Sequence, residues 1–287
     1  MNPIVFHIVS GDAYFSGAAI LVAAVILHQC SSRVRTTSNI GRLPFVVSLL
    51  CGMIGTILSA TPVPLWLTML LAFATLFWIY SLCSPKSGRA ASFGMVFCWC
   101  VSIILEIPWH ILPRTTAASI NALTVIGDSV SAGMDEGEAE TWPSLLSRQH
   151  GMAVQDLSHV GETAGSAFKR AKKVGIQHNY VIVEIGGNDI LGSTSPSQFE
   201  IDLEALLREL RRENRRVVMF ELPLPPFYHQ YGMTQRQLAR KYEVALVPKR
   251  YFLSILADGD ATLDSIHLSQ SGHQAMSDLV WRLSRPK

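Results

Sequence analysis

The sequence predicts an α/β domain built on a parallel sheet, preceded by a region of four membrane-spanning helices. Charged residues make up only 16% of the 287 residues, below the roughly 25% of soluble proteins. The deficit lies in residues 1–113, which carry five basic and two acidic side chains, whereas the remaining 174 residues carry nineteen basic and twenty acidic ones. From Ala122 onward, short β-rich runs alternate with helical patterns, which is typical of a parallel sheet with helices on both faces.

The membrane domain is predicted over residues 1–113. It contains four apolar stretches near the length of about 20 residues that crosses a bilayer, at residues 14–30, 43–60, 63–83 and 91–112. The first stretch differs from a cleaved signal peptide, because no basic residue precedes it and no small-x-small site follows a short apolar core. We therefore expect it to be a retained span.

The orientation of these spans is predicted from two basic loops. They follow the first and third stretches and contain Arg33, Arg35 and Arg42, and Lys86 and Arg89. The positive-inside rule places both loops in the cytoplasm, although Arg114 after the fourth stretch is a weak opposite indication. The soluble domain is then expected on the periplasmic or extracellular side, held close to the membrane surface by a linker over residues 114–121.

The soluble domain is predicted over residues 122–287. Its expected strands are residues 123–126, 154–157, 180–185, 217–222 and 245–247. The clearest helix is predicted over residues 196–214, with Ser195 as its cap, Pro196 in its first turn and Gln198 reaching back. Its apolar stripe consists of Phe199, Leu203, Leu206 and Leu210. Because this half is nearly neutral and has no basic stripe, nucleic acid is excluded as a partner.

The first predicted strand ends in Gly127-Asp128-Ser129. A turn at this place presents a serine hydroxyl at the carboxyl edge of a parallel sheet, where open α/β folds bind ligands. Alone, the triplet is also compatible with an ordinary capped turn. We expect Asp128 to brace this turn rather than to act as an acid.

Three later stretches carry residues suited to the same chemistry. Gly161 follows the second strand and Asn188 follows the third, while Asp264 and His267 lie near the C-terminus. Together with Ser129 they would supply a nucleophile, two oxyanion donors and an acid–base pair. Taken singly, Gly161 could be a loop glycine, Asn188 a turn residue and His267 a capped surface histidine.

These blocks resemble the SGNH, or GDSL, hydrolase superfamily in residue type and order, from Ala122 to the C-terminus. The resemblance implies a flavodoxin-like three-layer domain with Ser129 as nucleophile and His267 and Asp264 as its acid–base pair. It implies an oxyanion hole made by Ser129, Gly161 and Asn188. One departure is Asp156, because the residue five before the block's glycine is commonly Asn.

The resemblance further implies cleavage of an acyl or acetyl ester through an acyl-enzyme on Ser129. The alternative is an acyltransferase that uses the same triad to pass the acyl group to an envelope glycan or lipid. A third possibility, a non-catalytic sensor or scaffold, would predict a broken catalytic set. No metal or organic cofactor is implied. The expected partners are an ester substrate, which could be a lipid, an envelope glycan or a small ester, and the lipid bilayer.

Overall fold

The computed structural model describes residues 1–33, 43–82, 88–114, 118–133, 139–262 and 267–286. It divides into two compact units. The sheet unit comprises Ile111–Pro223 and Gln230–Lys287, together with Met1. The helical unit comprises Asn2–His110 and also Leu224–His229, a short segment that follows the fourth strand. The predicted linker at residues 114–121 lies partly outside the described residues, and the predicted domain boundaries stay predictions.

Five α-helices form most of the helical unit. They are α1 (Pro3–Val9), α2 (Asp12–Arg33), α3 (Leu43–Leu58), α4 (Leu65–Ser81) and α5 (Gly88–Glu106), followed by a 3₁₀ turn, Ile107–His110. α2 packs closely along α3 because a Cβ at Gly52 would lie only 2.7 Å from Leu21 Cγ. α4 and α5 are joined by an indole hydrogen bond, Trp78 Nε1 to Ser92 Oγ at 3.0 Å.

These helices lie where the four membrane spans are predicted. Two of them, Asp12–Gln29 and Gly88–His110, are long and apolar enough to cross a membrane within the described part of the chain. α3 has 16 residues, just below the spanning range of about 17–25, and α4 has 17, at the short end of that range. Length and composition alone would also fit a buried core helix or, near the N-terminus, a signal sequence. Four spans therefore stay a prediction.

The sheet unit contains a five-stranded parallel sheet in the order β2-β1-β3-β4-β5. The strands are β1 (Ala122–Gly127), β2 (Ala153–Asp156), β3 (Tyr180–Glu184), β4 (Arg216–Phe220) and β5 (Ala245–Val247). This is the flavodoxin-like order, which reverses direction between β1 and β3. The α/β class and all five predicted strands are confirmed; β5 has the predicted ends, and the ends of the other strands shift by at most two residues.

Helices cover both faces of the sheet. α7 (Trp142–His150), α12 (Lys249–Leu256) and α13 (Gln270–Leu283) share one continuous buried core with the strands. α8 (Ala164–Val174), α10 (Pro196–Leu210) and α11 (His229–Lys241) form the other layer. Two short helices, α6 (Ser129–Ala132) and α9 (Gly187–Leu191), start directly at strand ends. The three-layer arrangement brings the carboxyl ends of β1 and β3 side by side.

α10 begins at Pro196 as predicted, but one side chain in its first turn and its C-terminal end differ from the prediction. Ser195 caps it as expected, since Ser195 Oγ accepts the Gln198 amide at 3.2 Å. The prediction that Gln198 reaches back is wrong, because its side chain donates forward to Asp202 at 2.9 Å. The predicted end at Asn214 is also wrong: the helix ends at Leu210, and Arg211 is already extended. The last apolar position of the stripe is Leu210, so burial stops supporting the helix there.

Candidate active site

Ser129 lies at the N-terminus of α6, immediately after β1. Asp128 is the cap of this helix, and its Oδ1 accepts the Val130 amide at 2.9 Å. α6 can turn back against β1 only because residue 127 is glycine: a Cβ there would lie 2.3 Å from Ser131 Oγ. Ser129 retains 8% exposure. The expectation that Asp128 braces the turn is confirmed.

The loop after β2 carries Gly161 and is fixed to the end of β1. The His159 amide donates to the Gly127 carbonyl at 3.1 Å. Asp156 Oδ1 accepts the Ser158 amide at 2.9 Å, so aspartate makes a local bond at this position. Gly161 has a φ of +75°, and its own amide makes no hydrogen bond to any residue the structure describes. This amide therefore remains available at the edge that carries Ser129.

Asn188 connects these two loops from the end of β3. Gly186 permits its approach, since φ there is +117° and a Cβ would lie 2.7 Å from Leu222 Cδ1. Asn188 Nδ2 donates to the Glu162 carbonyl at 3.1 Å and to Asp128 Oδ2 at 3.3 Å. Both amide hydrogens are thus engaged, and the bond to Asp128 is the longer of the two.

Asp189, the next residue, supports the same loop. Its Oδ2 accepts the amide of Ala164 at 2.9 Å, at the start of α8. Burial raises the pKa of this carboxyl, and the nearby Asp202 charge adds to the effect. Asp189 therefore fixes the loop after β3 to the start of α8.

His267 lies near the same carboxyl edge, in a segment between β5 and α13. It is half-buried, and its charge lowers the pKa of Asp128, which places the imidazole close to that carboxylate. Asp264, predicted to orient it, lies outside the described residues. His273 is almost fully buried, and burial lowers its pKa to about 4. Its Nδ1 accepts the Trp142 amide at 3.3 Å, so His273 packs against the start of α7.

The spacing of Asp264 and His267 also occurs in the loop after β2, as Asp156 and His159. His159 is exposed, and its Nδ1 lies 2.8 Å from the Val160 carbonyl. Asp156 is engaged with the backbone of its own turn. The sequence pattern is the same in both places, but His159 is exposed and contacts its own loop, whereas the charge of His267 lowers the pKa of Asp128.

Comparison with known proteins identifies the family. Residues 125–275 match the model of the GDSL-like lipase/acylhydrolase family, which is more than half of the chain. The chain belongs to this family. It is an SGNH/GDSL-type hydrolase that acts on ester bonds, and no residue of α1–α5 lies within the matched range.

Similar proteins of this GDSL family include esterases and thioesterases. The thioesterase 1/protease 1/lysophospholipase L1 of Escherichia coli K12 is 30% identical over 168 residues, which cover 55% of this chain and 78% of that protein. Esterase TesA of Pseudomonas aeruginosa is 26% identical over 186 residues, covering 60% and 92%. A crystal structure of TesA aligns at 25% identity with a TM-score of 0.49, covering 57% of this chain and 98% of that one.

A buried carboxyl pair, Asp128 and Glu184, underlies the turn that carries Ser129 in this GDSL hydrolase. The two side chains are hydrogen-bonded to each other, which requires that one of them carry a proton. Burial, with the charge of Asp128 adding to it, raises the pKa of Glu184 well above its usual value. Burial raises the pKa of Asp128 to about 6, although the hydrogen bonds from Val130 and Glu184 and the charge of His267 each lower it. Glu184 is therefore the protonated partner.

Glu184 makes two further hydrogen bonds at the turn. It accepts the hydroxyl of Ser131 at 2.9 Å and the backbone amide of Asp128. Ser131 Oγ in turn accepts Trp142 Nε1 at 3.2 Å. The end of β3 is thus connected to α6 and α7 through buried polar groups. Glu184 is not among the residues predicted from the sequence, although a carboxylate inside the apolar run of residues 180–185 is a usable indication.

Glutamine and alanine at position 184 are expected to have opposite effects. The folded state keeps a proton that the unfolded state releases above its pKa of about 4.3. This group's contribution to the free energy of unfolding therefore falls as the pH rises from that value toward the folded pKa. Glu184→Gln keeps a neutral donor and acceptor, so we expect it to gain stability over the wild type as the pH rises. Glu184→Ala should lose about 2–4 kcal/mol at the acid end, and this deficit should shrink as the pH rises, because alanine has no proton to release.

Thermal unfolding of the full-length protein in detergent, between about pH 4 and pH 8, measures both effects. Ser254→Ala is a suitable control, because Ser254 is exposed and its hydroxyl only contacts the Tyr251 carbonyl of its own helix. Parallel pH profiles for the wild type and Glu184→Gln would show that Glu184 is ionised in the folded protein and would contradict the assignment.

The described residues contain no group of three or more His, Cys, Asp or Glu side chains that could hold a metal ion.

Proposed function

We propose that this GDSL hydrolase is a membrane-anchored serine esterase with Ser129 as nucleophile, His267 as general base and Asp264 as the residue that orients His267. The proposal rests chiefly on one observation. The turn with Ser129, the loop with Gly161 and the Asn188 side chain are joined at one sheet edge by direct hydrogen bonds. The esterase activity of the family supports the same conclusion.

In this mechanism His267 removes the hydroxyl proton of Ser129 as the oxygen attacks the ester carbonyl. The carbonyl oxygen becomes an oxyanion, which accepts hydrogen bonds from the Ser129 and Gly161 amides and from Asn188. The C–O bond to the alcohol then breaks, and the alcohol leaves with the proton from His267. Water, deprotonated by His267, attacks the acyl-enzyme and releases the acid, which restores the Ser129 hydroxyl.

The membrane part of the proposal is that α2–α5 are four spans and that the sheet unit is exported. Large apolar side chains point outward from all four helices, for example Phe73 at 67% and Phe93 at 74% exposure. A hydrocarbon environment would cover them, whereas water would leave them as an extended apolar surface. The basic loops after the first and third spans set the orientation.

Reporter fusions test this topology. We expect alkaline phosphatase at the C-terminus to be active and a cytoplasmic reporter at the same site to be inactive. The same pair placed after residue 86 should give the reverse pattern. An inactive phosphatase with an active cytoplasmic reporter at the C-terminus would contradict the proposed orientation.

A fluorophosphonate probe tests the nucleophile without depending on the natural substrate. We expect one probe per protein, on the peptide that contains Ser129, and none on Ser129→Ala. Modification of a different serine would contradict the proposal.

A second experiment distinguishes an esterase from an acyltransferase. The wild-type protein is incubated with acetyl, butyryl and octanoyl p-nitrophenyl esters. Free acid supports the esterase, and acyl transfer to an added glycan or lipid without free acid supports the acyltransferase.

A further inference from the structure

A buried carboxylate, that of Glu162, follows Gly161 directly in the loop after β2. Glu162 is 3% exposed and takes no part in the ester chemistry described above. Its charge is balanced from outside the loop, because Glu162 Oε2 accepts a hydrogen bond from Nε of Arg170 at 2.6 Å. Carboxylates are almost never fully buried without a partner. The burial of this carboxylate therefore depends on Arg170.

Arg170 reaches the loop from α8. The helix begins after Thr163, whose hydroxyl caps it by accepting the Ser166 amide at 3.3 Å. Arg170 lies about two turns further along the helix, and its guanidinium bonds back to the residue just before the cap. The helix thus holds the end of the loop at two points, by its cap and by this ion pair.

The backbone of Glu162 connects the loop to Asn188. Its carbonyl accepts Asn188 Nδ2 at 3.1 Å, and its amide donates to the His159 carbonyl at 3.1 Å. The preceding residue in the chain is Gly161, whose amide is the second oxyanion donor of the proposed mechanism. A displacement of Glu162 would therefore move the Gly161 amide and the Asn188 side chain together.

Gly161 contributes little to holding its own position. It is exposed, its φ is +75°, and a Cβ added to it would meet no atom within 4 Å among the residues the structure describes. Glycine is the residue with the greatest backbone freedom. A glycine in open surroundings must be fixed through its neighbours in the chain, and the buried, ion-paired neighbour here is Glu162.

We propose that Arg170 is a positioning residue for the oxyanion hole. Its ion pair with Glu162 holds the Gly161 amide and the Asn188 side chain where the oxyanion develops, and Arg170 itself touches no reacting atom. The inference rests on the proposed function, because it concerns the same oxyanion donors. Oxyanion stabilisation depends on donors that are fixed before the reaction, so a displaced donor lowers the rate of the chemical step more than substrate binding.

The test is steady-state hydrolysis of p-nitrophenyl butyrate by the full-length protein in detergent. We expect Arg170→Met to lower kcat by about tenfold to a hundredfold with KM changed less than about threefold, because the Glu162 carboxylate loses its partner and the loop shifts. Arg170→Lys should recover most of kcat, since a single hydrogen bond to the carboxylate can also be made by an ammonium. Lys173→Met is the matched control, because Lys173 is exposed on the same helix and the same charge is lost. We expect wild-type kinetics there.

A second substitution separates positioning from a general loss of stability. Glu162→Gln added to Arg170→Met removes the unpaired buried charge, so it should return kcat to within about threefold of the wild type. The fraction of each variant that a fluorophosphonate labels at completion counts the folded sites, and kcat is expressed per labelled site. Arg170→Gln, which keeps a donor without the charge, replaces Arg170→Met if that variant does not fold, and we expect the same kinetic pattern.

Unchanged kcat per labelled site in Arg170→Met, or a loss that Glu162→Gln does not relieve, would overturn the inference while leaving the proposed esterase intact. A wild-type protein that hydrolyses no ester, or that is labelled at a serine other than Ser129, would instead overturn the proposed function and this inference with it.

Discussion

Replacement of Ser129 by alanine is expected to lower kcat/KM for p-nitrophenyl butyrate by about 10³ or more, because alanine cannot form the acyl-enzyme. Ser129 is buried, with 8% exposure, but the side-chain hydrogen bond that forms the turn is made by Asp128. The fold should therefore survive the substitution. Steady-state kinetics of the full-length protein in detergent, with thermal unfolding measured in parallel, checks both expectations.

His267→Ala should cause a loss of similar size, and the double variant should lose little more than either single one. Residues that act as one catalytic unit are strongly non-additive, because removing either one already disables the other. His159→Ala is the matched control, since Asp156 and His159 repeat the spacing of Asp264 and His267. Full activity in His267→Ala, or an equal loss in His159→Ala, would show that the base is misassigned.

The sheet and the order of its motifs could be predicted because both follow from local sequence. A buried parallel strand must be apolar on both faces, and all five residues of β3 are buried although its last one is Glu184. Glycines that end strands are also local indications: Gly127 and Gly186 lie where any side chain would collide with Ser131 or Leu222. Such constraints can be recognised in the sequence without knowing which residues meet in space.

The sequence could not predict features that depend on which side chains meet in space. The Gln198 side chain could reach back to the Ser195 cap or forward to Asp202, each within one turn. Its choice of Asp202 depends on side-chain packing. The Asp128–Glu184 pair joins residues 56 positions apart, and the proton on Glu184 results from burial and from the charge of Asp128. Asn188 likewise obtains its two acceptors from different loops. Spacing alone predicts that these residues share an edge, not how they bond.

Asn188→Ala is expected to reduce kcat by about 10²–10³, with KM changed much less. An oxyanion donor acts on charge that exists only in the transition state, so its loss lowers kcat more than substrate binding. Asn188 can serve the oxyanion by giving up its 3.3 Å bond to Asp128 while it keeps the 3.1 Å bond to the Glu162 carbonyl. The retained bond holds the amide plane, and the exchanged bond is the weaker of the two by distance.

A purely structural role for Asn188 would give a different pattern, because the residue also joins the Ser129 turn to the Gly161 loop. Loss of that connection would lower the unfolding temperature and raise KM together with the fall in kcat. Asn179→Ala is the matched control: Asn179 is exposed and precedes β3 at the opposite edge of the sheet. We expect unchanged kinetics there. If Asn188→Ala instead destabilises the protein and affects kcat and KM equally, the oxyanion contribution must come from the Ser129 and Gly161 amides, and Asn188 is a positioning residue.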